Sequence, residues 1–175
     1  MADVVDLDGA RLRTAARKAF RNWRSRFGEE FDLSTGPQDL SDSTLLFLAR
    51  GKEDASFYLH DMITNLLRLG SGLEVRELRP SGKLAVMDRY LFVLDLLRFE
   101  VMRRLGWLDR YPGEGRSLVE LVTEFEDIGP AVQAGIPVLS RSHPDYPKFA
   151  SAGAFEKESV IRRLIPQALE AFDLQ

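Results

Sequence analysis

The sequence has no cysteine and only two histidines, His60 and His143, in 175 residues. The first absence removes disulfides, thiolate zinc sites, redox dithiols and cysteine nucleophiles together. The second leaves little for imidazole chemistry. A carboxylate site in a helical bundle is usually completed by Glu-x-x-His pairs, yet Phe57 stands three residues before His60, and His143 falls in a proline-rich stretch. No metal and no cofactor is expected. A long uncharged apolar run is missing as well. The most apolar stretch, Leu84 to Leu108, carries Asp88, Arg89, Asp95, Arg98, Glu100, Arg103 and Arg104, too many charges for a membrane span. The first residues, MADVVDLDG, lack a charged-then-apolar leader. A cytoplasmic location is expected on that ground, with residues 1–9 as a flexible N-terminus.

Sequence motifs for common chemistries are absent too. Neither Gly-x-Ser-x-Gly nor His-Glu-x-x-His occurs. Gly82-Lys83 resembles the end of a phosphate loop, but Glu77 stands where that loop needs glycine and Leu84 where it needs Ser or Thr. No two runs alternate apolar and polar residues long enough to pair as a sheet.

What the chain does have is apolar mass and helical periodicity. Hydrophobic residues make up 45% and aromatics 10%, which argues against disorder. A chain of this length buries roughly 70% of its unfolded surface, enough for one core. Helices are expected over about 10–27, 42–50, 54–69, 82–105, 117–127 and 155–172, where apolar residues recur three and four apart. Gly51, Gly70 and Gly106 are placed to stop them, Ser81 to cap one, and Ser117 with Glu120 to start another as a capping box. A linker is expected over 71–80. Pro130, Pro137, Pro144 and Pro147 mark 129–148 as a proline-rich loop, and Pro166 is expected to bend the last helix. The fold class is therefore all-α: a single-domain helical bundle of about five long helices plus short ones.

Charge is unevenly distributed. Between Ala10 and Gly28 lie seven basic residues and no acid, so the other 17 basic residues face 27 acids elsewhere. The chain is an acidic body with one basic amphipathic helix over 10–28. Arg13, Arg17, Arg21 and Arg24 share a face of it, next to a stripe of Leu12, Ala16, Ala19, Phe20, Trp23 and Phe27. The four arginines are the candidate anion- or partner-binding residues. We expect the stripe to lie on the body, because a free helix of this length is marginal in water. The arginines would then pair with Glu29, Glu30, Asp32 or the run Glu120 to Asp127, or remain exposed.

A second candidate is a buried polar cluster. On the 82–105 helix, Arg89, Val93, Glu100, Arg103 and Arg104 share the arc read as solvent-facing, and Leu84, Met87, Leu91, Leu94, Met102 and Leu105 the arc read as buried. Asp88, Asp95 and Arg98 fall within the apolar arc, where a charge needs a partner. With His60 they form either a site or, as we prefer, a structural ion-pair network. The loop Ser140 to Lys148 holds Ser142, His143 and Asp145, but near neighbours in one loop rarely converge as a triad does. We expect Ile136, Val138, Leu139, Tyr146 and Phe149 to hold this loop against the bundle. Trp107, Tyr111 and Arg116 suit either an interface or the closing of the bundle's end.

Three functions fit. The preferred one is a non-enzymatic interaction or regulatory module that binds a protein partner or self-associates. The second is binding of nucleic acid or an anionic membrane through the basic helix, against which the body's negative charge counts. The third is an enzyme or small-ligand pocket at Asp88, Asp95 and Arg98.

Overall fold

A computed structural model describes residues 6–70 and 77–175. The chain is all-α. In order, the helices are α1 (Leu7–Ala19), α2 (Arg21–Phe27), α3 (Asp42–Ala49), α4 (Glu53–Leu66), α5 (Pro80–Arg104), α6 (Leu118–Thr123), α7 (Phe125–Ala134), α8 (Tyr146–Ser151) and α9 (Ala154–Asp173). A 3-10 turn, Pro37–Asp39, precedes α3. Among the described residues no helix is long and apolar enough to cross a membrane.

Local chemistry explains most of the helix ends. The Asp6 carboxylate accepts from Gly9 N–H, Ser41 from Thr44 N–H, and Ser117 from Glu120 N–H. Each satisfies one donor of a first turn that has no partner within its helix. Gly28 ends α2 at φ 68°, a left-handed conformation open to glycine at little steric cost. Because α1 begins at Leu7, residues 7–9 are helical and not part of a flexible terminus. The expectations for residues 1–5, and for the linker between 71 and 76, lie outside the described residues.

α5 is the hub. It packs against α3, α4, α6, α7 and α9, while α1 lies on α4 and α8 on α9. One buried apolar cluster runs from Ala16 on α1 to Phe172 on α9 and includes Trp23, Leu59, Val93, Leu97, Leu121 and Leu164. The stripe of the basic helix belongs to it as expected, with Ala19, Phe20 and Trp23 fully buried. The Trp23 indole N–H donates to the Tyr58 carbonyl of α4 at 2.9 Å, which locks the helix to the body.

Several expectations are corrected. The helix over 10–27 is two helices divided at Phe20 (φ −97°, ψ 6°), where a buried phenyl packs against Trp23 and Phe31. α5 starts at Pro80, so Ser81 lies inside its first turn and Arg79 holds the cap position. Proline suits that first position, where a backbone N–H would lack a partner anyway. The helix expected over 117–127 stops at Thr123, and α7 resumes at Phe125.

The region 129–148 is not a plain loop. α7 continues through Pro130 to Ala134, Val138–Leu139 forms a strand, and Pro147 sits in the first turn of α8. Gly129 spares Pro130 the clash with a preceding Cβ, although α9 also passes a proline, Pro166, that follows Ile165. That strand, β2, pairs antiparallel with β1 (Leu108–Arg110), Leu108 opposite Leu139. Its few residues are too short for any alternation pattern to register in the sequence. α9 runs through Pro166 without interruption.

Candidate functional site

The structure disperses the cluster expected on α5. Asp88 is exposed rather than buried. Asp95 is half-buried and receives two hydrogen bonds from the Arg162 guanidinium of α9, both at 2.6 Å. The Arg98 Nε donates to the Ala49 carbonyl at 2.9 Å, placing the guanidinium at the C-terminus of α3, where helix carbonyls favour a cation. Burial lowers the pKa of Arg98, while the nearby Asp95 charge acts the other way. His60 lies on α4 with its ring stacked on Tyr90 at 4.4 Å and Nδ1 3.3 Å from the Ser56 hydroxyl. Its Nε2 is buried without a partner among the described residues, and burial lowers its pKa below the ordinary 6.5. No hydrogen bond or ion pair joins any two of the four. Each of Asp95, Arg98 and His60 instead ties α5 or α4 to a neighbour or its own turn.

Neither arc of α5 behaves as one unit: Leu94 and Met102 are buried as read from the sequence, but other residues exchange sides. Arg89, Val93 and Glu100 are buried, and Leu84, Met87 and Leu91 are exposed. Arg89 Nε donates to the Val122 carbonyl at 2.8 Å, near the end of α6, and its guanidinium lies 5.0 Å from the Phe125 ring. Glu100, fully buried, is the centre of a polar hub. It accepts two hydrogen bonds from Arg103 at 2.7 and 2.9 Å, one from Arg104 Nε at 3.0 Å and one from the Tyr111 hydroxyl at 2.9 Å. Burial works to raise the Glu100 pKa, but these four donors outweigh it and hold it below the usual glutamate value. Tyr111 is pushed far up by burial and by the adjacent carboxylate. Arg104 reaches on to the carbonyls of Pro37, Gln38 and Leu40, pinning the 3-10 turn and the start of α3. Local spacing held the signal for three of these four bonds, since Arg103 and Arg104 follow Glu100 by three and four residues. Tyr111 had no such signal.

The 140–148 segment carries no triad. His143 Nδ1 accepts the backbone N–H of Asp145 at 3.1 Å, Ser142 meets Ser140, and Asp145 faces Arg163 at 3.7 Å. Leu139 and Phe149 are buried, Ile136 and Tyr146 pack on the core, and Trp107 meets His143 edge-on at 5.0 Å, so the segment is held as expected. Trp107 and Tyr111 close the bundle, and Arg116 pairs with Glu120 at 3.9 Å. Among the described residues no three His, Asp or Glu side chains come together in a way that would hold a metal ion.

Among the described residues most of the charge on the basic helix is unpaired, Arg11 alone meeting a carboxylate, that of Asp8 at 3.7 Å. Arg13, Arg17 and Arg21 are exposed. Among the described residues, none of Arg13, Arg17, Lys18, Arg21 and Arg24 forms an ion pair, and several nearby acids are engaged elsewhere. Asp32 accepts from its own turn through Ser34 N–H and hydroxyl, and those bonds hold its pKa down. Glu29 takes the hydroxyls of Ser41 and Thr44. Arg24 alone is braced, through longer bonds of 3.3 and 3.4 Å to the carbonyls of Arg17 and Phe31.

Two open hollows flank this face. One, about 410 Å³, lies between Arg13, Arg17 and Arg24 and the Phe31 to Ser34 turn. The other, about 490 Å³, lies between α1–α2 and α4, rimmed by Arg17, Lys18, Arg21 and Arg24 with Phe57 across from them. On its α4 side the Asp61 carboxylate accepts from the carboxamides of Asn22 at 3.0 Å and Asn65 at 3.2 Å. Burial raises the Asp61 pKa despite those two bonds. No protein-family model matches the chain, and neither a curated protein nor a solved structure does.

Proposed function

We propose that the chain is a single helical interaction module that engages an acidic protein partner through the face of α1 and α2 bearing Arg13, Arg17, Arg21 and Arg24. The observation that carries this reading is the row of exposed cations left without carboxylate partners in a chain that has 27 acids. A fold that needed those charges for its own stability would pair them. Their separation from the acidic body suits electrostatic steering of a partner of opposite charge. The dispersal of Asp88, Asp95, Arg98 and His60, each in its own structural contact or in solvent, speaks against a catalytic pocket on α5.

The test is a pull-down with the wild-type chain and with Arg13→Glu/Arg17→Glu/Arg21→Glu, with and without nuclease, over a range of salt. Arg24 is left intact because it braces the turn at Phe31. The expected result is a nuclease-resistant acidic protein, weakened by salt and lost on charge reversal. Nuclease-sensitive recovery would transfer the face to nucleic acid. Recovery unaffected by reversal would refute the reading. Sedimentation of the purified chain tests self-association, for which the exposed acids Glu124 and Asp127 provide the opposite charge.

A further inference from the structure

We infer that the basic face reads a particular kind of segment: an acidic stretch flanked on both sides by large apolar side chains. This rests on the proposed function and narrows it. Arg17 and Arg24 line both hollows, so their side chains form a ridge between them. Arg24 holds that ridge in place through its bonds to the Arg17 and Phe31 carbonyls. A carboxylate seated on the ridge meets guanidinium groups suited to bidentate pairing.

Each hollow adds apolar surface to a polar lining, with Asp32 and Ser34 in the first and Lys18, Arg21, Asn22 and Asp61 in the second. One contains Ala16, Phe31 and Leu33, all of them on or against the core. The other contains Phe57, a phenyl 55% exposed on a helix whose other large apolar residues are mostly buried. Each falls in the volume range of ordinary ligand clefts, roughly 300–1,000 Å³. A peptide crossing the ridge thus sets its acids on Arg17 and Arg24 and one apolar side chain in each hollow. Apolar anchors in pockets ringed by polar groups carry most binding energy in such interfaces. The face favours such a peptide over nucleic acid because the acidic body repels a polyanion at long range, whereas a short acidic segment carries few charges.

The experiment is selection of a displayed library of random 12-residue peptides on the folded chain, followed by anisotropy with the fluorescein-labelled consensus peptide. Acidic peptides with aromatic or aliphatic residues on both sides are expected to be enriched. The labelled consensus should lose at least about tenfold in affinity, or about 1.4 kcal/mol, to Phe57→Ser and to Arg17→Glu separately. It should be unaffected by Arg141→Glu, an exposed cation elsewhere. Circular dichroism melts confirm that each variant is folded. Enrichment of acidic peptides without apolar flanks overturns the two-hollow reading and leaves the acidic-partner reading standing. Peptides lacking acids, no enrichment, or tighter binding of a labelled 20-residue oligothymidine overturns both.

Discussion

Replacing Glu100 with glutamine removes one charge from the middle of α5 and almost no volume, so no cavity confuses the result. Glu100 is 0% exposed and accepts four hydrogen bonds, all charge-assisted. Breaking a buried pair by removing one partner costs about 3–5 kcal/mol. Here part of that is recovered, because the Arg103 side chain is 35% exposed and lies near Glu114, and Arg104 keeps Asp42 at 2.7 Å. We expect about 2–4 kcal/mol, since hydrogen bonds to charged groups contribute about 1.5–3 kcal/mol each but are not additive. With a urea m-value of about 2–3 kcal/mol/M for a chain of this size, the midpoint should fall by about 0.7–2 M.

Tyr111→Phe supplies the internal control. In the wild type it removes the hydroxyl that donates to Glu100, at a cost of about 1.5–3 kcal/mol. In the Glu100→Gln background the same change should cost at least about 1 kcal/mol less, the difference being the coupling of the pair. The acid limb gives a second readout. Because the folded pKa of Glu100 lies below the ordinary glutamate value, its contribution is present above the unfolded pKa and is lost as pH falls through the folded one. Glu100→Gln should therefore flatten the acid limb of the stability curve. A midpoint shift under about 0.3 M in urea, or an equal cost of Tyr111→Phe in both backgrounds, would refute the hub.

His60 makes the opposite kind of pH statement. Its folded pKa lies below 6.5 because of burial, so the fold prefers the neutral ring, and stability should begin to fall as pH drops below the unfolded pKa. His60→Gln should remove that slope between pH 7 and 5 in urea titrations, and an imidazole NMR titration midpoint above 6.5 would contradict it. Asp95→Asn breaks the two bonds to Arg162, a pair with side chains 26% and 47% exposed. Partial solvent screening limits the cost to about 0.5–1 kcal/mol by thermal melt, and any partner recovered with the wild type should still be recovered with this variant.

The parts of the fold that were legible in the sequence depend on neighbours along the chain. Ser117 and Glu120 lie three apart, and the cap they imply is made. Gly51 and Gly106 stop helices at positive φ. The apolar stripe of the basic helix needs only its own periodicity to be read, and it lies on the core. What failed depends on contacts made at a distance or on compensation within a turn. The helix divides at Phe20, whose ring packs against Trp23 and Phe31, and nothing in the run of helix formers around it signals that. Pro130 looks like a stop, yet α7 runs through it as α9 runs through Pro166.

The mixed burial around α5 shows why its polar residues were hard to sort from the sequence. Amphipathic reasoning assumes one wet side, but this helix has α3, α4, α6, α7 and α9 around it, and a helix surrounded by others loses its single apolar stripe. Its charged residues are then sorted by partner rather than by hydropathy. Arg89 is buried because α6 ends beside it and offers the Val122 carbonyl. Glu100 is buried because Arg103 and Arg104 follow it by one turn and Tyr111 closes over it. Leu84, Met87 and Leu91 remain exposed in the N-terminal half of the same helix. Buried charge on a central helix is thus weak evidence for chemistry, because any charge retained there must already have found partners. Exposed charge on a peripheral helix carries the reverse implication. α1 and α2 bury only one stripe, so nothing in the fold obliges Arg13, Arg17 and Arg21 to be cations. Conversion of all three to glutamine should leave the unfolding free energy from urea titration within about 0.5 kcal/mol of the wild type while abolishing recovery of the partner. A large loss of stability in that variant would mean that the fold itself requires the charge.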